Sequence, residues 1–305
     1  MNTRQHTVNL AASVRARLQH QARQTGADHG LLLTKYALER LLYRLSISDW
    51  RDDFLLKGAL LFDLWFDEPC RPTRDIDLLG ISAANLGDVA AAFRAVCALA
   101  CADGIHFDPQ TVQSREIRKE ASGAGIRVTL LARLDSARCA VQIDIGYGDA
   151  VTPAAQRVSY PVLLEGMAAP VLRAYPAETV VAEKYQAIVS LGMVNTRLKD
   201  YFDLWVLAKH VQFDPAMLRK AIQATFARRG TPLPQTLLPL GLSDTFAQDA
   251  NKIQQWNAFL GKNKLKAPAL PDLIAELRPL LWRDENLSQT QPEANRTEIR
   301  ENPNT

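Results

Sequence analysis

Two carboxylates on alternate residues, Asp75 and Asp77 in Arg74-Asp75-Ile76-Asp77-Leu78, carry the strongest chemical signal in the chain. On an extended strand, residues i and i+2 project to one face, so the two acids point together while Ile76 and Leu78 enter a core. Carboxylates held that close repel unless a proton or a cation intervenes. Mg2+ is a hard, oxygen-liking ion that meets this need, and such sites handle phosphates. Lys57-Gly58-Ala59 lies just upstream. A glycine turn there lets backbone N–H groups approach phosphate oxygens. The combination implies a site for a nucleoside triphosphate and a metal.

A third acid, Asp144, sits inside the apolar run Val141-Gln142-Ile143-Asp144-Ile145. A buried, unpaired aspartate is costly and needs a partner. If that strand lies beside the first, Asp144 completes a triad. The competing readings are a surface acid on an edge strand, or an ion pair to Arg127 or Arg133. Further on, Glu183-Lys184-Tyr185 falls in an otherwise apolar helix, and Asp200 and Asp203 share a helical face with Arg197. This pattern reads either as charge pairing at a helix start, or as a face on which Asp200 and Asp203 anchor Lys184 toward triphosphate oxygens.

The elements that must position these groups are an α+β set. Residues 1–50 form a helical N-terminal segment, with Asn9 as a cap and Leu31–Leu45 as a periodic helix. That helix carries Lys35, Glu39, Arg40 and Arg44, read as a solvated charged face or as a basic face beside the active site or a nucleic-acid partner. Residues 51–170 form a core: a strand into the glycine turn, a short helix over 59–66, the dicarboxylate strand over 74–79, a helix over 86–102, then strands over 111–118, 126–134 and 140–145. Gly123-Ala124-Gly125, Asp135-Ser136 and Gly146-Tyr147-Gly148-Asp149 read as turns. Consecutive strands joined by tight turns make the sheet mixed, and one more strand is expected within 162–171. Residues 171–283 form a helical lobe, with helices over 177–192, 196–210, 214–228, 243–260 and 270–282. Residues 284–305 are polar and are expected to be disordered.

The chain has 305 residues, 47% of them hydrophobic, and a net charge of +3, too mild to declare nucleic-acid binding by itself. Cys70, Cys97, Cys101 and Cys139 show no metal-ligand spacing and read as packed thiols, consistent with a cytoplasmic protein. Neither a membrane-spanning run nor a signal-peptide core is expected.

The ordered set Phe54-Leu55-Leu56-Lys57-Gly58-Ala59, Arg71-x-Thr73-Arg74-Asp75-Ile76-Asp77-Leu78, Ile143-Asp144-Ile145-Gly146-Tyr147-Gly148-Asp149, Glu183-Lys184 and Arg197-x-Lys199-Asp200-x-x-Asp203-Leu204 resembles the AbiEii/MenT-type nucleotidyltransferase toxins. These belong to the DNA polymerase β-like nucleotidyltransferase superfamily, and the resemblance spans roughly residues 10–210. It implies a bilobed protein, a type IV toxin–antitoxin role with a nearby-encoded antitoxin, and transfer of a nucleotide from NTP to an acceptor, tRNA in some relatives. It assigns Asp75, Asp77 and Asp144 to two Mg2+ ions, with Mn2+ as an alternative, and Asp75, Asp77, Asp144 and Lys184 to catalysis. Nucleotide contacts fall to Lys57, Gly58, Ala59, Arg74, Lys184, Asp200 and Asp203. Ala59 departs from the usual Gly or Ser, and the spacing from the turn to Asp75 is longer than in minimal superfamily members. Arg40, Arg44, Arg71, Arg74, Arg228 and Arg229 are candidates for RNA contact, and the protein is expected to be a monomer. The alternatives are a small-molecule, antibiotic-type nucleotidyltransferase and a non-catalytic nucleotide-binding module.

Overall fold

The computed structural model describes residues 9–66, 71–119 and 123–282. The expected disorder from residue 284 and the placement of Cys70 lie outside these residues. Helices α1 (Leu10–Thr25) and α2 (His29–Ser46) come first. Asn9 and Asp28 cap them by accepting from the N–H groups of Ala12 and Leu31, and Gly26, in the left-handed region at φ 68°, ends α1.

Among the described residues the sheet has seven strands: β1 (Phe54–Lys57), β2 (Asp75–Gly80), β3 (Ile105–Lys119), β4 (Gly123–Leu134), β5 (Ala137–Tyr147), β6 (Gln156–Ser159) and β7 (Val171–Ala174). Their order is β3-β4-β5-β2-β1-β7-β6. The sheet is mixed, as expected: β2 runs antiparallel to β1 but parallel to β5, and β1 runs parallel to β7. Between β1 and β2 lie a 3-10 turn at Gly58–Leu61 and the short α3 (Phe62–Trp65). Helix α4 (Leu86–Ala98) follows β2 and buries Val89, Phe93 and Val96. The remaining helices are α5 (Ala177–Leu191), α6 (Leu198–His210), α7 (Pro215–Arg228), α8 (Asp244–Ala247), α9 (Ala250–Asn263) and α10 (Leu270–Leu281).

Several expectations shift. Gly123 and Gly125 pair within β4 rather than forming a turn, whereas Asp135, at φ 53°, does turn the chain with Ser136. Gly146 and Tyr147 extend β5. The segment 162–170 holds no strand, which appears instead as β6 and β7 on either side of it. The helix expected over 243–260 divides into α8 and α9, because Asp249 starts a new helix by capping Lys252 N–H.

Helix α2 is a core helix, which overturns both readings for Glu39, Arg40 and Arg44. Arg40 and Arg44 are about as buried as its leucines, at 1% and 2% exposure. The Arg44 guanidinium forks onto Asp103 at 2.6 and 3.1 Å and donates to the carbonyls of Leu99 and Ile105. Arg40 pairs with Glu39 at 2.7 Å and donates to the Ala168 carbonyl. Neither is available to RNA. Their neutralising partners satisfy charges that would otherwise be too costly to bury.

Candidate active site

The site forms where three adjacent central strands, β5, β2 and β1, bring polar residues together in register. In β2, Ile76 and Leu78 are buried while Asp75 and Asp77 are half-buried, the alternation that the sequence predicts. The register places Asp77 opposite Lys57 of β1 on one side and opposite Asp144 of β5 on the other. Asp144 therefore does lie beside the first two acids. All three face a cleft of about 440 Å³ whose other wall comes from α5, the start of α6 and Arg229.

Gly58 turns the chain at φ +77°, a conformation that glycine adopts without steric cost. A Cβ built at Gly58 would stand 2.7 Å from the Cβ of Asp77 and 2.8 Å from its Cγ. The turn is thus packed directly on the Asp77 side chain. Ala59 lines the same cleft. Thr73 Oγ1 donates to Asp75 Oδ1 at 2.7 Å and orients that carboxylate.

The cations of the cleft are mostly engaged. The Arg127 fork holds both oxygens of Asp144, Nε to Oδ1 and Nη2 to Oδ2, each at 2.7 Å. That hydrogen bonding, with the Asp144 charge, raises the Arg127 pKa. Lys184 Nζ is caged by Asp200 at 2.8 Å and Asp203 at 2.7 Å. Arg71 forks onto both oxygens of Asp203 at 2.7 and 2.9 Å, sharing Oδ2 with Lys184. Burial alone would raise the Asp203 carboxyl, but Lys184 and Arg71 outweigh it and hold the pKa down at about 2. Arg197 Nε approaches Asp200 at 2.7 Å. Asp203 is itself wholly buried, behind the cleft wall rather than in it.

A second network surrounds Lys57. Its amine donates to Asp149 at 2.7 Å and Glu183 at 3.0 Å, and lies 5.0 Å from the centre of the Tyr175 ring. Arg229 closes the ring onto Asp149 at 3.0 Å and Glu183 at 3.3 Å. Burial disfavours the Lys57 ammonium, but Glu183, Tyr175 and Asp149 more than compensate and raise its pKa. Lys57 is therefore bound into the protein before any phosphate arrives. Arg74 is exposed and stands outside the residues that line the cleft, unlike Lys199, which lines it and is also exposed.

Sequence reasoning missed the roles of Asp149, Glu183, Arg229 and Tyr175. Asp149 carried a weak signal, as the acid that ends a glycine-rich turn after the third carboxylate strand.

The oxygen donors of Asp75 and Asp77 suit a hard divalent cation. Asp144 is adjacent, but a guanidinium faces both its oxygens. Among the described residues, no three His, Cys, Asp or Glu side chains cluster so that they could hold a metal ion. The Asp75–Asp77 pair fits the cation, and the third carboxylate belongs for now to Arg127. The three free cysteines among the described residues, Cys97, Cys101 and Cys139, are not among the residues lining the cleft. No described helix is long and apolar enough to cross a membrane.

No functionally curated protein matches the chain in sequence. Two Helicobacter pylori structures resemble it in outline. JHP933 is 16% identical, with 86% of this chain and 97% of that chain covered at a TM-score of 0.49. A protein described as a candidate nucleotidyltransferase is 18% identical, with 87% and 99% covered at a TM-score of 0.47. The family model of the AbiEii nucleotidyl transferase toxins of type IV toxin–antitoxin systems matches residues 40–281, which include every cleft residue described above. The chain belongs to the AbiEii family of nucleotidyltransferase toxins.

Proposed function

We propose that the cleft transfers a nucleotidyl group from NTP to a hydroxyl of an RNA acceptor, with tRNA as the candidate. One observation carries this reading: the Gly58 turn that follows β1 packs on Asp77 of β2, which stands opposite Asp144 of β5, and all three line one polar cleft. The core, residues 51–170, supplies Asp75, Asp77 and Asp144. The helical lobe, residues 171–283, supplies Lys184, Arg197, Lys199 and Arg229. In the reaction the acceptor oxygen bonds to the α-phosphorus as the bond from that phosphorus to its bridging oxygen breaks. Pyrophosphate leaves with the electron pair. The hydroxyl proton passes to a cleft carboxylate, for which Asp144 is the candidate. Asp75 and Asp77 would hold a divalent cation, Mg2+ or Mn2+, which when bound neutralises phosphate charge and acidifies the hydroxyl. Gly58 brings backbone close to the phosphates. Lys184 contributes a fixed positive charge, already shared with two acids. Arg197 and Lys199 have exposed faces from which to meet triphosphate oxygens.

The RNA reading draws support from the exposed cations Arg74, Lys199 and Arg228 near the cleft. RNA affinity is expected to fall steeply with salt if they act together. Membership in the family also implies an antitoxin partner. The test is incubation of the protein with each α-labelled NTP, Mg2+ and total RNA. Label should enter a discrete RNA species with the wild type and not with Asp77→Asn. Label on a small molecule in place of RNA would support the antibiotic-type reading, and equal labelling by Asp77→Asn would refute the site.

A further inference from the structure

Arg127 holds a position that the transfer reaction, as outlined so far, does not use. It stands on β4 directly opposite Asp144 in the β4–β5 register. Its fork covers both oxygens of a carboxylate that is 6% exposed. The Arg127 side chain itself is 27% exposed, so it reaches into the open cleft while Asp144 does so much less. Asp75 and Asp77 add to the negative field that it experiences. A second divalent cation drawn to Asp144 would have to approach a carboxylate already neutralised by a guanidinium, and the two positive charges would repel. Bidentate guanidinium binding suits a phosphate as well as it suits a carboxylate.

We propose that Arg127 masks Asp144 until a nucleotide phosphate takes over its guanidinium. Without nucleotide the site then accepts one divalent cation, at Asp75 and Asp77. Nucleotide binding moves the Arg127 fork from carboxylate to phosphate, which exposes Asp144 to share a second cation and to receive the acceptor proton. The order is built into the fold, because Arg127 and Asp144 are cross-strand partners fixed by register. This inference rests on the carboxylate assignment above.

Mn2+ binding to the full chain without nucleotide tests it, followed by electron paramagnetic resonance of the unbound ion. The wild type is expected to bind one Mn2+ per chain and Arg127→Gln two. Arg127→Lys, whose single amine cannot cover both oxygens, is expected to show a second site of intermediate affinity. It carries the test if Arg127→Gln does not fold. The KM for NTP should rise in both variants. A wild type that binds two ions without nucleotide, or variants that stay at one, would overturn the mask and leave the carboxylate assignment standing. Failure of every form to bind Mn2+ would overturn the carboxylate assignment itself.

Discussion

Substituting Gly58 by alanine tests geometry, because the new methyl group meets the Asp77 side chain and adds no charge or hydrogen-bonding group. Two costs combine. A non-glycine residue at φ +77° costs about 1–2 kcal/mol in backbone strain. The added Cβ stands 2.7 Å from the Asp77 Cβ, whereas ordinary contact begins at 3.4 Å, so something must yield by roughly 0.7 Å. The Asp77 Cβ is fixed by its strand, and overpacking of this kind costs about 1–3 kcal/mol. The total, about 2–5 kcal/mol, should lower the melting temperature by at least roughly 4 °C in a chain of this size. A displacement approaching 1 Å in a reacting carboxylate costs about 10²-fold in rate. Gly26→Ala is the control: its φ is +68°, but a Cβ there meets nothing within 4 Å. It should lose about 1–2 kcal/mol and no activity. Thermal melting and labelled-NTP transfer measure both. If Gly58→Ala matched Gly26→Ala in melting and kept turnover within about twofold of the wild type, the claim that Gly58 positions Asp77 would be refuted.

Asp75→Asn and Asp77→Asn should each reduce transfer by on the order of 10³-fold, since several kcal/mol of transition-state stabilisation are lost, with melting nearly unchanged. Asp203→Leu should behave in the opposite way: it strips Arg71 of its fork and Lys184 of one of its two acids, so urea denaturation should report a loss of about 3 kcal/mol. Acid should weaken the fold through the same residue. The Asp203 pKa is about 2 in the folded chain and about 3.9 when unfolded, so its contribution of about 2–3 kcal/mol is complete above about pH 5 and disappears as pH falls toward 2. Denaturation midpoints measured from pH 7 to pH 3 should fall less steeply in Asp203→Leu than in the wild type.

The parts of the site that obey a local period were legible in the sequence. The two-residue period of β2 aimed Asp75 and Asp77 together, and the apolar frame of Asp144 put it on a strand that the structure places next door. The three-residue spacing of Asp200 and Asp203 predicted their common face. Pairings between distant segments were not legible. Arg71 meets Asp203 across 132 positions, and Lys57 meets Glu183 across 126. No local pattern encodes such meetings, so Lys57 reads as a phosphate ligand although two acids hold it. Arg40 and Arg44 misled for the same reason. Helical periodicity showed their charge but not Asp103, the partner that allows Arg44 to be buried.

The ion pairs across the cleft also bear on how the protein could be dissected. Lys57, Arg71 and Asp149 come from the strand-bearing half of the sequence, and their opposite charges, on Glu183, Asp203 and Arg229, come from the helical half. A fragment cut near residue 175 would strip Arg71 of Asp203 and split the ring of Lys57, Asp149, Arg229 and Glu183 into two pairs, each on a newly exposed apolar face. Neither half is then a module that could be expressed alone or exchanged with that of a relative. An exchange would have to carry both members of each pair together.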